Sequence, residues 1–169
     1  MTNAMPKTVL FLCTANYYRS RFSEYLFNAR AAVAGLSWRA TSRGLMIWMA
    51  DGQGPISIYA VDRLTKLGVA MDGSRLPVQL SRSDLDTADL VIAMKRKEHH
   101  AMMQGLFPDW ADRIEYWHVD DMDCGRPEES LPLCQVYVER LVRRLAADDS
   151  NPASSAVQSS RGIGVPPLA

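Results

Sequence analysis

Four short runs of apolar and β-branched residues alternate along the chain with longer amphipathic stretches. Thr8–Leu12 is β-branched and apolar, and Ser37–Ser42 alternates loosely. Asp89–Met94 is apolar after its first residue, the pattern of a strand buried on both faces of a parallel sheet. Ile114–His118 is rich in strand formers. Between them the spacing predicts helices. Ser20–Ala34 places Phe22, Tyr25, Leu26, Ala29 and Val33 on one face, with Gly35 as a stop. Ile56–Leu67 repeats the pattern with Ile58, Val61, Leu64 and Leu67. Residues 96–106 read as a third helix, closed by Gly105 and Pro108. The last helix has Ser130 as its N-cap and Pro132 in its first turn, followed by a stripe of Leu131, Cys134, Val138, Leu141, Val142 and Leu145.

Strand then helix, repeated four times, predicts an α/β fold: an open parallel sheet with helices on both faces. Ligands in such sheets bind at the carboxyl ends of the strands. The pattern holds for residues 1–148, a single domain. Of the 21 residues from Asp149 to Ala169, ten are Ser, Pro or Gly and no hydrophobic period survives, so 149–169 reads as a flexible tail.

Charge and composition narrow the function. Nineteen basic residues balance nineteen acidic ones. A nucleic-acid partner would call for a basic excess, so nucleic acid is not expected and any anion site must be local. No apolar run approaches the roughly 18 residues of a membrane span, and residues 1–7 do not read as a signal peptide, so no membrane partner is expected. Three cysteines, an odd number, do not form a disulfide framework; the expected compartment is the reducing cytoplasm.

The candidate chemistry sits after the first strand, in Cys13-Thr14-Ala15-Asn16-Tyr17-Tyr18-Arg19-Ser20. Backbone N–H groups at the start of a helix lack intrahelical partners and favour an anion, a phosphate or a thiolate alike. Arg19 offers a planar fork for two phosphate oxygens. A thiolate beneath a bound phosphate is a nucleophile aimed at phosphorus, and Ser20 can donate to that sulfur. A cysteine ending a buried strand is also ordinary core filler, so the loop alone leaves both readings open. Trp117-His118-Val119-Asp120-Asp121-Met122-Asp123 follows the fourth strand and opens on the same sheet edge. Its three carboxylates are candidates for the acid that a leaving group needs, or merely an exposed acidic turn.

With these motifs in order, residues 7–148 resemble the low-molecular-weight protein tyrosine phosphatase family. The likeness rests on Cys13 to Ser20, on Ser42-Arg43-Gly44 with Trp48, and on Trp117 to Asp121. It implies a three-layer, flavodoxin-like fold with a four-stranded parallel sheet in the order 2-1-3-4. It also implies hydrolysis of phosphomonoesters through phosphocysteine, without metal or cofactor. By position Cys13 is the nucleophile, Arg19 the phosphate clamp and Asp121 the general acid, with Asp120 as runner-up. Thr14, Ala15, Asn16, Tyr17, Tyr18 and Ser20 would bind phosphate, Asn16 holding the strained backbone, and Trp48 would wall the substrate ring. The expected partner is a phosphorylated protein or a small aryl phosphate.

The chain departs from that pattern at several places. Tyr18 stands where the family usually has a second Cys, Ala15 where it has Gly, Arg21 where it has Pro, and Ser74 about where many members have His. Among the remaining residues, His99 and His100 read as surface positions, pointing about 100° apart on a helix and so a poor metal pair. Cys134 fits the core stripe, and Lys95-Arg96-Lys97 reads as a solvated helix start. Two alternatives stand beside the phosphatase: a thiol-dependent arsenate reductase on the same fold, and an anion-binding module without turnover. The thioredoxin-coupled kind of arsenate reductase relays electrons through two further cysteines near the loop after the third helix, and residues 75–95 hold none.

Overall fold

A computed structural model describes residues 4–151. The sheet contains β1 (Lys7–Cys13), β2 (Trp38–Gly44), β3 (Leu90–Ala93) and β4 (Glu115–Tyr116), all parallel, in the order β2-β1-β3-β4. The helices are α1 (Arg19–Val33), α2 (Ile58–Lys66), α3 (Arg82–Thr87), α4 (Arg96–Leu106) and α5 (Pro127–Ser150). This is the predicted three-layer architecture and strand order.

The pleat of β1 divides the interior in two. Val9, Phe11 and Cys13 face the layer built by α1, α2 and α5, where Phe22, Leu26, Leu64, Val138 and Leu141 are buried. Leu10 and Leu12 face the other layer, with Leu85 of α3 and Met103 of α4. Because both faces are covered, β1 from Val9 onward and all of β3 are continuously apolar rather than alternating. No helix among the described residues is long and apolar enough to cross a membrane.

The structure corrects several local expectations. α3 went unpredicted, although its capping box was legible: Ser81 Oγ accepts from the Asp84 N–H, and the Asp84 carboxylate accepts from the Ser81 N–H. α5 starts at Pro127, so Ser130 is not its N-cap. The Ser130 N–H donates to the Arg126 carbonyl within the first turn, and Pro132 lies inside the helix. Its predicted stripe is buried residue for residue. Val33 and Ile58, read as core, are exposed. The buried faces of α1 and α2 centre instead on Leu26, Phe27 and Ala31, and on Ala60 and Leu64. α5 also carries two residues of the expected tail: Asp149 accepts from Trp38 Nε1 at 3.2 Å and from Lys7 Nζ at 3.4 Å. The rest of that expectation, from residue 152, lies outside the described residues.

Candidate active site

β1 ends at Cys13 and α1 begins at Arg19, so the five residues between them cross the carboxyl edge of the sheet. Asn16 is the one non-glycine residue with positive φ among the described residues, at 51°. Its side chain holds that backbone in place: Nδ2 donates to Ser20 Oγ at 3.1 Å and to Ser42 Oγ at 2.9 Å, and Oδ1 accepts from the Val78 N–H at 3.0 Å. Gly44, at the end of β2, lets the loop lie against the sheet. A Cβ there would fall 2.7 Å from Ile47 Cγ2, 2.9 Å from Asn16 N and 3.0 Å from the Ala15 carbonyl carbon. The loop carbonyls are taken from outside: Cys13 by the Leu45 N–H, Thr14 by Met46 and Tyr17 by Ser57, at 3.0, 2.7 and 2.9 Å. The N–H groups of residues 15–18 find no acceptor among the described residues. A run of free amides over a strand end is an anion cradle.

Cys13 Sγ lies 2.9 Å from Ser20 Oγ. Since Ser20 Oγ already accepts from Asn16, its own proton is free to point at the sulfur. Behind Asn16 the polar chain continues. Ser42 Oγ donates to Glu24, and Glu24 takes two hydrogen bonds from Arg75, at 2.8 and 2.7 Å.

Arg19 has no exposed surface. Nη1 donates to the Val119 carbonyl at 2.9 Å and to Glu98 Oε2 at 3.2 Å; Nη2 donates to Glu98 Oε1 at 2.9 Å and to Asp121 Oδ2 at 2.8 Å. Burial would lower the proton affinity of the guanidinium, but the hydrogen bond to Glu98 and the nearby negative groups raise it above its ordinary value. Glu98 collects further donors, Thr14 Oγ1 at 2.5 Å and His99 Nε2 at 3.3 Å. Burial opposes its charge. The bonds from His99, Arg19 and Thr14 outweigh this and hold its carboxyl well below the usual carboxylate range.

The surface reading of His99 is overturned, since its ring is fully buried. The Lys95 N–H donates to Nδ1 at 3.0 Å, so in the neutral ring the proton sits on Nε2 and points at Glu98 and Thr14. His100 is partly buried and pairs with Asp112 at 2.7 Å. The sequence assigns Glu98 no role and reads His99 only as a surface position. Their one signal was position, in the first turn after β3 at the binding edge of the sheet; Lys-Arg-Lys-Glu-His-His otherwise reads as a solvated helix start.

A cavity of about 220 Å³ opens above the loop. Cys13, Thr14 and Ala15 form its floor; Tyr17, Met49, Ala50 and Met122 supply apolar walls, with Gln53, Asp121 and Asp123 among the polar lining. Asp120 is not in the lining, and its carboxylate pairs with Lys95. The structure thus brings Cys13, Arg19, Ser20 and Asp121 together. Trp48 does not join them. It is 57% exposed, because the short 3-10 turn Ile47–Ala50 carries it outward and turns Met49 and Ala50 to the cavity.

The family model for low molecular weight phosphotyrosine protein phosphatase matches residues 8–149. The chain belongs to this family. Its cysteine-dependent phosphatase chemistry accounts for the geometry at Cys13. Among curated proteins, Protein-arginine-phosphatase of Bacillus subtilis is 29% identical over 106 residues, 63% of this chain and 67% of that one. Low molecular weight protein-tyrosine-phosphatase YfkJ of the same organism is 36% identical over 89 residues. That alignment covers 52% of this chain and 55% of YfkJ, so the chain spans little more than half of that relative. The crystal structure of the family member from T. tengcongensis is 27% identical and superposes with a TM-score of 0.68, covering 82% of this chain and 99% of that one.

Two outcomes follow from the site's construction. Gly44→Ala should force the phosphatase loop off the end of β2, costing about 1–3 kcal/mol in urea unfolding by overpacking and most of the turnover. A fully active, equally stable variant would show that the loop does not rest on Gly44. His99 is held neutral, mainly by burial, below its ordinary value of 6.5. The folded protein therefore binds fewer protons than the unfolded chain, and stability should fall as pH drops through about 6.5. Urea midpoints between pH 7.5 and 5.5 should fall more steeply for the wild type than for His99→Gln; equal slopes would contradict this assignment.

Proposed function

We propose that the protein hydrolyses phosphotyrosine in proteins, with Cys13 as nucleophile, Arg19 and the loop amides as phosphate site, and Asp121 as general acid. The observation that carries this reading is that Cys13 and Asp121 line one small cavity with apolar walls, while the buried Arg19 guanidinium beside it donates to the Asp121 carboxylate at 2.8 Å. Asp121 takes the acid role over Asp120 because it lines the cavity, whereas Asp120 is turned to Lys95.

In the first step the Cys13 thiolate attacks phosphorus. An S–P bond forms as the ester P–O bond breaks, and Asp121 gives its proton to the departing oxygen. In the second step water attacks phosphorus, Asp121 takes a proton from that water, and the S–P bond breaks to release phosphate. The Ser20 hydroxyl donates to the departing thiolate. Thr14, Ala15, Asn16, Tyr17 and Tyr18 contribute through the loop backbone, whose free amides face the developing charge.

The substrate class rests on the cavity and on the relatives. One relative is named for arginine phosphate and the other for tyrosine phosphate. The rim of Tyr17, Met49, Ala50 and Met122 offers apolar surface to an aromatic ring, which favours the aryl ester. The working compartment is proposed as the cytoplasm, since a thiolate nucleophile has to stay reduced. For the arsenate reductase alternative, neither remaining cysteine lines the cavity. Cys124 is exposed, and Cys134 is buried in α5, its thiol pushed up to about 12 mainly by burial.

Cys13→Ser should abolish turnover of p-nitrophenyl phosphate and of a phosphotyrosyl peptide while phosphate binding persists, because the amides and Arg19 remain. Substantial activity in this variant would reject the covalent mechanism. Asp121→Asn should slow aryl phosphates with poor leaving groups most, by about 10²–10⁴-fold, and an activated nitrophenyl ester less. A larger loss in Asp120→Asn would move the acid by one residue.

A further inference from the structure

We propose that Glu98 is a positioning residue that aims Arg19 at the phosphoryl group, and that Asp121 and the phosphoryl group compete for one edge of its guanidinium. The proposal rests on the phosphatase reading above.

A guanidinium carries five N–H bonds fixed in one plane. Glu98 takes the end of the fork, Oε2 facing Nη1 at 3.2 Å and Oε1 facing Nη2 at 2.9 Å. The Val119 carbonyl takes the other Nη1 hydrogen at 2.9 Å. What remains is the side edge, Nε–H and the second Nη2–H. Asp121 Oδ2 fills only the Nη2 half of it, at 2.8 Å, and its other oxygen accepts from the Met122 N–H at 2.9 Å. Nε is buried and has no partner among the described residues. The side edge is therefore half satisfied in the resting protein.

A phosphoryl group presents two oxygens at the spacing of that edge and satisfies both donors, which Asp121 in its present pose does not. Binding then exchanges one acceptor for another. The phosphoryl oxygen displaces Asp121 from Nη2, and the freed carboxyl is left beside the leaving group. For this exchange to work the opposite side of the guanidinium must not move. Glu98 is held for that purpose by Thr14 Oγ1 and by His99 Nε2, and the His99 ring is set by the Lys95 N–H on Nδ1. The line Lys95 N–H, His99, Glu98, Arg19 transmits the start of α4 to the phosphate site.

Charge and position make opposite predictions, which gives the test its force. Removing a carboxylate beside an anion site strengthens anion binding by Coulomb's law alone. Removing the anchor of Arg19 weakens it. Inorganic phosphate is titrated calorimetrically into the full-length wild type, Glu98→Gln, Glu98→Asp and Asp121→Asn, with near-UV circular dichroism to confirm folding. Glu98→Gln should bind phosphate about tenfold more weakly, the loss of one well-aligned charge-assisted hydrogen bond. Glu98→Asp, with its charge kept and its reach shortened, should also bind more weakly, and Asp121→Asn more tightly, having lost the competitor. Should Glu98→Gln not fold, the Glu98→Asp and Asp121→Asn arms still decide. Unchanged or tighter binding in a folded Glu98 variant, or unchanged or weaker binding in Asp121→Asn, would overturn the proposal and leave the phosphatase reading intact. A wild type that binds no phosphate would instead sink that reading itself.

Discussion

A guanidinium without exposed surface can be kept in a protein only if acceptors surround it, and Arg19 imposes that requirement on two distant parts of this chain, the start of α4 and the loop after β4. Stranding such a charge by removing one partner typically costs about 3–5 kcal/mol. The requirement is met by the Val119 carbonyl just after β4, by Glu98 in the first turn of α4 and by Asp121 in the loop beyond. None of these is near Arg19 in sequence. All three come from the carboxyl edge of the parallel sheet, where the strand order β2-β1-β3-β4 gathers the loops. One buried guanidinium therefore draws together the loops around the cavity.

The loop beneath Arg19 depends on a second network of polar side chains. Asn16 stands in the left-handed region and is held by Ser20, Ser42 and the Val78 N–H. Ser42 is bound in turn by Glu24 and Arg75. This line ties the nucleophile's neighbour, Ser20, to an ion pair between Arg75 and Glu24 of α1, of which the Glu24 side chain is nearly buried. Arg21 extends the support. Also fully buried, it donates to the carbonyls of Pro55, Arg75 and Asp72 and so pins two loops against the start of α1. A proline at this position would offer no side-chain donor to either loop.

The fold was legible because its signals are local and repeated. β3 and β1 from Val9 onward announce themselves as continuously apolar, and the α5 stripe maps onto the buried face without a single miss. The nucleophile loop was legible for a related reason, its residues being contiguous and placed between a strand and a helix. What stayed hidden depends on tertiary packing. Glu98 and His99 sit in a charged string indistinguishable from a solvated helix face until the fold sets the start of α4 beside Thr14 and Arg19, where His99 is buried and Glu98 half-buried. Trp48 failed in the opposite sense. An aromatic at the right distance along the chain could not reveal that a 3-10 turn presents its neighbour Met49 instead.

Tyr18 shows how one departure reshapes the site. Its ring is 3% exposed and lines the cavity, and its hydroxyl has no partner among the described residues. Burial, the largest influence on that phenol, raises its proton affinity and keeps it neutral. A neutral phenol ring adds apolar surface to the cavity lining. It also leaves the nucleophile without a sulfur neighbour in its own loop. The other two thiols are placed elsewhere, Cys124 on the surface and Cys134 inside α5. Tyr18 thus puts a buried aromatic side chain, and no second thiol, in the loop that begins at Cys13.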